Sequence, residues 1–177
     1  MKKLNLLLIA AALMVGLSSV ASAQTASGTL TVTATVNGSI SLVFNSDAAG
    51  VALTSGAGTS AAALDFGPVS AFGTIPATIT RSTTALDFTI STPVDVLVNK
   101  FNSASLNYTL TAQLNGAPGT ETWAVNGAAF SNAAAGTATA TGAYGSNVPV
   151  TLAITVPFAV PSGTAISNVV NFTATSN

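Results

Sequence analysis

Histidine and cysteine are both absent from this chain of 177 residues, and charge nearly so: four Lys/Arg and five Asp/Glu make up 5% of it. Each absence removes a class of chemistry. Without His or Cys there is no Ser-His-Asp or Cys-His nucleophile system, and no zinc site built on imidazole or thiolate. Without Cys, stability has to come from a packed core and a β-ladder rather than from disulfides. Beyond Lys2 and Lys3 the only cations are Arg81 and Lys100. Nucleic-acid binding needs clustered Lys and Arg to displace phosphate counterions, and attraction to anionic lipid needs a polybasic patch. Two isolated cations supply neither. Gly56-Ala57-Gly58 and Gly67-Pro68 are turn material, since no phosphate-loop pattern surrounds them. After the first residues no window carries a helical stripe, and no repeat of fixed period occurs.

What is present begins with a targeting pattern. Met1-Lys2-Lys3 precedes an apolar run over 6–17 and the small residues Ser18-Ser19-Val20-Ala21-Ser22-Ala23. A charged start, a short apolar stretch and an A-x-A site describe a cleavable secretion signal over 1–23. The run falls short of the ~20 apolar residues that span a bilayer. The pattern is of bacterial type, so the expected destinations are the periplasm, the cell surface or the medium. The remaining chain, from Gln24, suits a single domain with a sizeable core. No later run is long enough for a spanning helix. Its surface of Thr, Ser and Asn carries little charge to keep copies apart, which suits assembly or an extracellular matrix.

Strict alternation of apolar and polar residues marks strands. The expected segments are 29–36, 40–44, 64–66, 77–80, 86–91, 94–98, 106–114, 122–125, 148–156 and 169–174. Turn signals separate them at Gly67-Pro68, Thr92-Pro93, Asn115-Gly116, Asn126-Gly127 and Pro161-Ser162-Gly163. The stretches 50–59 and 133–142 read as low-complexity loops. Short strands with regular punctuation predict an all-β sandwich or barrel.

The N-terminal segment is the most informative. Asn37-Gly38 resembles a two-residue hairpin turn. Such a turn pairs Thr35 with Ile40 and Thr33 with Leu42, which sets polar residues of one strand beside apolar residues of the other on one face. Read straight through, Leu30, Val32, Ala34, Val36, Gly38, Ile40, Leu42 and Phe44 keep one phase. Two readings follow: an extended run over 29–44, or two successive segments serving different sheets or partners; and a hairpin whose register is repaired by a bulge. An extended arm over 24–37 has a physical use. It adds a strand to the sheet of a neighbouring copy, with Leu30, Val32, Ala34 and Val36 filling pockets. Repeated head to tail, such a contact builds a filament.

Several segments together resemble the fimbrial-subunit and spore-coat-U-like secreted proteins of bacteria. They are Thr29-Leu30-Thr31-Val32-Thr33-Ala34-Thr35-Val36, Ser39-Ile40-Ser41-Leu42, Leu64-Asp65-Phe66-Gly67-Pro68-Val69, Leu106-Asn107-Tyr108-Thr109-Leu110 and Val169-Val170-Asn171-Phe172-Thr173-Ala174. The resemblance implies an incomplete immunoglobulin-like β-sandwich over 38–177, completed by a donated strand. It also implies a periplasmic chaperone and an outer-membrane assembly pore as partners, with roles in adhesion or biofilm matrix. The chain departs from that pattern in having no cysteine pair.

For chemistry only carboxylates remain. Glycoside hydrolysis needs two of them across a cleft, and of the five acids Asp65, Asp87, Asp95 and Glu121 are the candidates for such a pair. With no aromatic or charged constellation around them, no catalytic, cofactor or metal site is expected. Asp87 and Asp95 read either as solvated strand residues that discourage edge pairing or as calcium ligands, although no Asp-rich loop surrounds them. Trp123 reads either as an exposed sugar platform or as a core residue. Tyr144, in a loop pattern, is the better candidate for an exposed contact. The expectation is a non-enzymatic structural subunit that self-assembles by strand donation. A rival reading is a monomeric glycan- or ligand-binding module containing its own first strand. An outer-membrane barrel fits less well, because the few aromatics lack girdle spacing.

Overall fold

The structure, a computed structural model, describes Ser27 and residues 29–177. The expected signal at 1–23 lies outside the described residues. The chain divides into a unit ending at Thr35 and a compact unit, Val36–Asn177, which holds every strand described below.

The strands are β1 (Ser39–Asn45), β2 (Leu53–Ser55), β3 (Ala63–Leu64), β4 (Thr80–Thr83), β5 (Asp87–Phe101), β6 (Asn107–Leu114), β7 (Thr122–Val125), β8 (Ala128–Phe130), β9 (Gly136–Ala143), β10 (Asn147–Pro157) and β11 (Val170–Ser176). Six of them form one sheet in the order β1-β5-β10-β7-β8, with β4 also on β5. Three form a second sheet, β11-β6-β9, and β2 and β3 make a small separate ladder. Every ladder is antiparallel.

The two larger sheets form a β-sandwich because their alternating rows share one core. Phe88, Ile90, Val94, Val96 and Val98 of β5 and Val150, Leu152, Ile154 and Val156 of β10 point inward from the first sheet. Tyr108, Leu110, Ala112 and Leu114 of β6 meet them from the second. This is the period-two pattern of half-buried strands.

β5 corrects one expectation. Thr92-Pro93 was expected as a turn, yet it lies inside a strand of 15 residues. Proline lacks the N–H that a ladder needs, so it belongs where no partner waits. Odd-numbered residues of β5 direct their backbone toward β1 and β4. β1 ends opposite Asp95 and β4 begins opposite Ser91. Pro93 stands at the one odd position between them. The gap is closed by Thr92, whose buried Oγ1 accepts from Val51 N at 2.8 Å and donates to Thr78 O at 3.0 Å. Gly50 fits here for lack of a side chain: a Cβ on it would meet Pro93 O.

A second correction concerns 133–142, expected as a loop, most of which is strand β9. Its inward positions are Gly136, Ala138 and Gly142, too small to read as a core row. Small residues are what the space admits. A Cβ at Gly136 would stand 3.0 Å from the carbonyls of Ala128 and Ala129, and one at Gly142 would enter the Tyr108 ring. This side of the sandwich is therefore sealed, β8 against β9. The stretch 50–59 likewise contains β2.

The expected turns at Asn126-Gly127 and Pro161-Ser162-Gly163 are present. Asn126 and Gly127 both have positive φ, 47° and 81°, which closes the β7–β8 hairpin as a type I′ turn. Thr164 N donates to Pro161 O across the other, with Gly163 at φ 83°.

Asn37-Gly38 is neither a hairpin nor part of a continuous strand. β1 begins at Ser39, and 29–38 carry no strand. No partner strand is paired with them among the described residues, and an isolated extended segment has no ladder to hold it.

Candidate functional site

The candidate site is the side of the sandwich opposite the β8–β9 seal, where β1 and β11 lie as facing edge strands. β11 pairs with β6 through its odd residues: Asn177 N donates to Asn107 O and Asn115 N to Val169 O, bracketing the ladder. In an antiparallel ladder alternate residues bond to opposite sides. The N–H and C=O groups of Val170, Phe172, Ala174 and Ser176 therefore point away from β6, and no backbone partner meets them among the described residues. β1, of the same length, has less of its outer edge free. Its even residues point outward, and Phe44 is already occupied, its N and O bonded to Thr59 O and Gly58 N. Ile40 and Leu42 remain.

The side chains along this seam are apolar and half-buried. Ile40, Leu42 and Phe44 on β1 face Val170, Phe172 and Ala174 on β11, all packed against the edge of the core. Phe44 and Phe172 meet edge to face, with ring centroids 5.4 Å apart. At one end a small hollow is lined by Gly38, Ser39, Ile40, Ser103 and Ser176. The sealed side, by contrast, buries Ala138 and Phe130. Free backbone groups beside an unfinished apolar row are what an added strand requires.

The residues 29–36 are exposed throughout; Leu30, Val32 and Val36 are 88%, 80% and 72% accessible. Their alternation is that of a strand, with threonines on the other face.

Trp123 is not an exposed platform. It is buried in the core, tilted against Phe130 at 6.4 Å, with its indole N–H donating to Glu121 Oε1 at 3.2 Å. The β7 register sets Trp123 opposite Ile154, on the inward row. Tyr144 is half-buried in the β9–β10 turn. Its hydroxyl donates to Asn107 O at 3.1 Å, its ring lies against Tyr108 at 5.2 Å, and Lys100 Nζ stands 5.1 Å from the ring centre.

Asp65, Asp87 and Glu121 serve local structure. Asp65 accepts from Gly67 N and Asp87 from the Thr84 hydroxyl. Glu121 Oε1 also accepts from Gly119 N. Burial pushes the Glu121 carboxyl up, but hydrogen bonds from its own N–H, Gly119 and Trp123 together hold it below the usual value. Asp95 is raised, first by burial and then by the neighbouring Asp47, against a hydrogen bond from Asn147. Among the described residues no three acids gather as a metal site would require. An open cleft of about 370 Å³ lies at the end of the sandwich that holds Glu121, lined also by Val160, Pro161 and Ile166.

Comparison with family models, with curated proteins and with solved structures yields no match for this chain.

Proposed function

We propose that this chain is an exported structural subunit of the fimbrial kind. In this reading its sandwich is immunoglobulin-like with one strand missing, and copies join when 29–36 of one chain adds to the open β11 edge of the next. The observation that carries the reading is the match between an unfinished edge and an unspent strand. β11 offers four outward-facing residues, Val170, Phe172, Ala174 and Ser176, and the arm offers four apolar residues in alternation, Leu30, Val32, Ala34 and Val36. Each alone is a liability, because free edges and exposed apolar rows promote unspecific association. Paired between copies, both are satisfied. The proposed role is scaffolding of a surface filament or matrix, without catalysis. The rival binding module is less favoured, since Trp123 is buried and 29–36 form no strand of their own.

Two variants test the two halves separately. Val32→Asp with Val36→Asp disables the arm. Ala174→Pro disables the edge: the Ala174 N–H points away from β6, so proline costs no ladder bond there. Size-exclusion chromatography and negative-stain electron microscopy should show dilution-stable polymers of the parent chain, and folded monomers for both variants. Polymers that survive the arm variant would sink the arm as connector. Polymers that survive the edge variant would sink β11 as acceptor.

A further inference from the structure

The cleft of about 370 Å³ beside Glu121 falls in the size range of small-ligand sites, roughly 300–1,000 Å³, and Glu121 is the one charged residue in its lining. The Glu121 side chain is only 9% accessible, yet its two oxygens differ. Oε1 accepts from Gly119 N at 3.1 Å and from the Trp123 indole N–H at 3.2 Å, whereas Oε2 accepts from no other residue among the described residues. Gly119, also in the lining, leaves Oε2 uncovered: a Cβ there would stand 2.8 Å from it. Hydrogen bonds, with no charged neighbour, keep the carboxyl ionised. The two cations beyond residue 3 are committed elsewhere, Arg81 to Ser70 O and Gly73 O, and Lys100 to Ser105 O. A nearly buried charge without a counter-charge is costly, so a cation that reaches it is favoured.

We propose that this cleft binds a primary ammonium carried on an aliphatic stem, with the ammonium donating to Glu121 Oε2 and the stem lying along Val160, Pro161 and Ile166. The arrangement of acceptors selects the cation. A hard metal ion such as calcium takes roughly six to eight oxygens, usually from clustered acids, and the cleft has one carboxylate. A guanidinium pairs with both oxygens of a carboxylate in parallel, and Oε1 already holds two donors. An ammonium is a compact charge with three donors. One meets Oε2, and Thr120, Thr164 and Ser167 bring hydroxyls to the same cleft for the others. Val160 and Ile166 are half-buried against the core, so they form a fixed apolar wall on which methylenes can lie while the charge stays at the carboxylate. The site uses neither 29–36 nor the β11 edge, and so stands independently of strand donation.

Trp123, the only tryptophan, bonds the same carboxylate and so reports on it. Titrating the chain with n-butylammonium chloride at neutral pH, with potassium chloride holding the ionic strength, should give a saturable change in Trp123 fluorescence matched by calorimetric heat. Neutral n-butanol should give neither. Glu121→Gln keeps a carbonyl for the Gly119 and Trp123 donors and replaces the free oxygen by an amide; it should weaken butylammonium binding at least about tenfold. Gly119→Ala keeps the charge and covers Oε2, and should weaken binding as well, which decides the matter if the Gln variant folds poorly. A blocked lysine, Nα-acetyl-lysine amide, separates two sources of the same group. Tighter binding than butylammonium supports the proposal with a protein side chain as ligand, and weaker binding supports it with a small amine. Absence of saturable binding by either amine overturns the proposal, as does equal binding of butanol. Binding that is unchanged in a folded Glu121→Gln variant or in Gly119→Ala overturns it too.

Discussion

Tyr108 offers the most direct test of the packing described here. Its side chain is fully buried between the sheets, and its hydroxyl is the one buried side-chain polar atom without a hydrogen-bond partner among the described residues. A buried polar group left unpaired costs about 1–3 kcal/mol relative to water. Tyr108→Phe removes that group and keeps the ring that fills the space over Gly142. The substitution should therefore stabilise the fold by about 1–2 kcal/mol, the lower part of that range because the missing oxygen leaves a small void. For a chain of this size that is a rise in Tm of about 2–4 °C per kcal/mol. The hydroxyl also has a pH signature. Burial first, and Tyr144 second, hold its pKa above the ordinary value. The folded chain thus keeps this proton after the unfolded chain has begun to lose it near pH 10, and stability falls as pH rises above that point. Urea denaturation at neutral pH and at a series of alkaline values measures both effects. The Phe variant should be more stable at neutral pH and lose less stability above about pH 10. A destabilisation of more than about 1 kcal/mol would refute the reasoning, since it would mean that the hydroxyl is bonded, for instance to an internal water.

Other substitutions test neighbouring features. Gly142→Ala places a Cβ inside contact distance of three Tyr108 ring atoms and should cost about 1–3 kcal/mol by overpacking, read as a lower urea midpoint at unchanged slope. Glu121→Ala leaves the Trp123 indole N–H and the Gly119 N–H without their acceptor; a loss of about 1–3 kcal/mol is expected, with a change in Trp123 fluorescence. Because the Glu121 carboxyl is held below its ordinary value, its contribution is present at neutral pH and disappears as the carboxyl protonates in acid, so the parent and Ala variant should converge at low pH. Asp47→Asn removes the charge that helps to raise Asp95. It should raise Tm at neutral pH, and the gain should vanish in acid, once the Asp95 carboxyl is protonated; a gain independent of pH would rule out the charge as its cause.

The strands legible in the sequence were those with large residues on the inward face. β6 and β10 alternate Tyr, Leu, Val and Ile with Thr, Asn and Ala, and their limits move by only a residue or so from sequence to structure. β9 was illegible for a physical reason. Its inward residues are Gly, Ala and Gly because β8 and the Tyr108 ring already fill the space, so the chemical contrast that reveals a strand is missing. Pro93 misled in the opposite sense. Proline is a reliable break only where an N–H is needed, and whether one is needed depends on where β1 ends and β4 begins, which are distant in sequence. Trp123 was open between surface and core until its register opposite Ile154 was known. The arm proposed as donor was legible as alternation over 29–36. The β11 edge was not: the strand could be read, but its place at the edge of a three-stranded sheet is a property of topology.

The two sides of the sandwich show why that edge matters. A sheet edge can be closed by covering it, and the β8–β9 side does so with backbone and small residues packed at contact distance. β1 is partly closed in another way, by the hydrogen bonds of Phe44 to residues 58 and 59. β4 is held by its arginine, whose guanidinium ties it to the 70–73 loop. Among the described residues β11 has none of these devices: no covering loop bonded to its outer backbone, no charge, no proline and no bulge in its ladder with β6. Natural sheets blunt their edges because an open one pairs with other chains. An edge left open along its whole length, beside a half-buried apolar row, in a chain with only two cations beyond its first residues, is suited to pairing. The segment of this same chain with the right alternation and no strand of its own is 29–36.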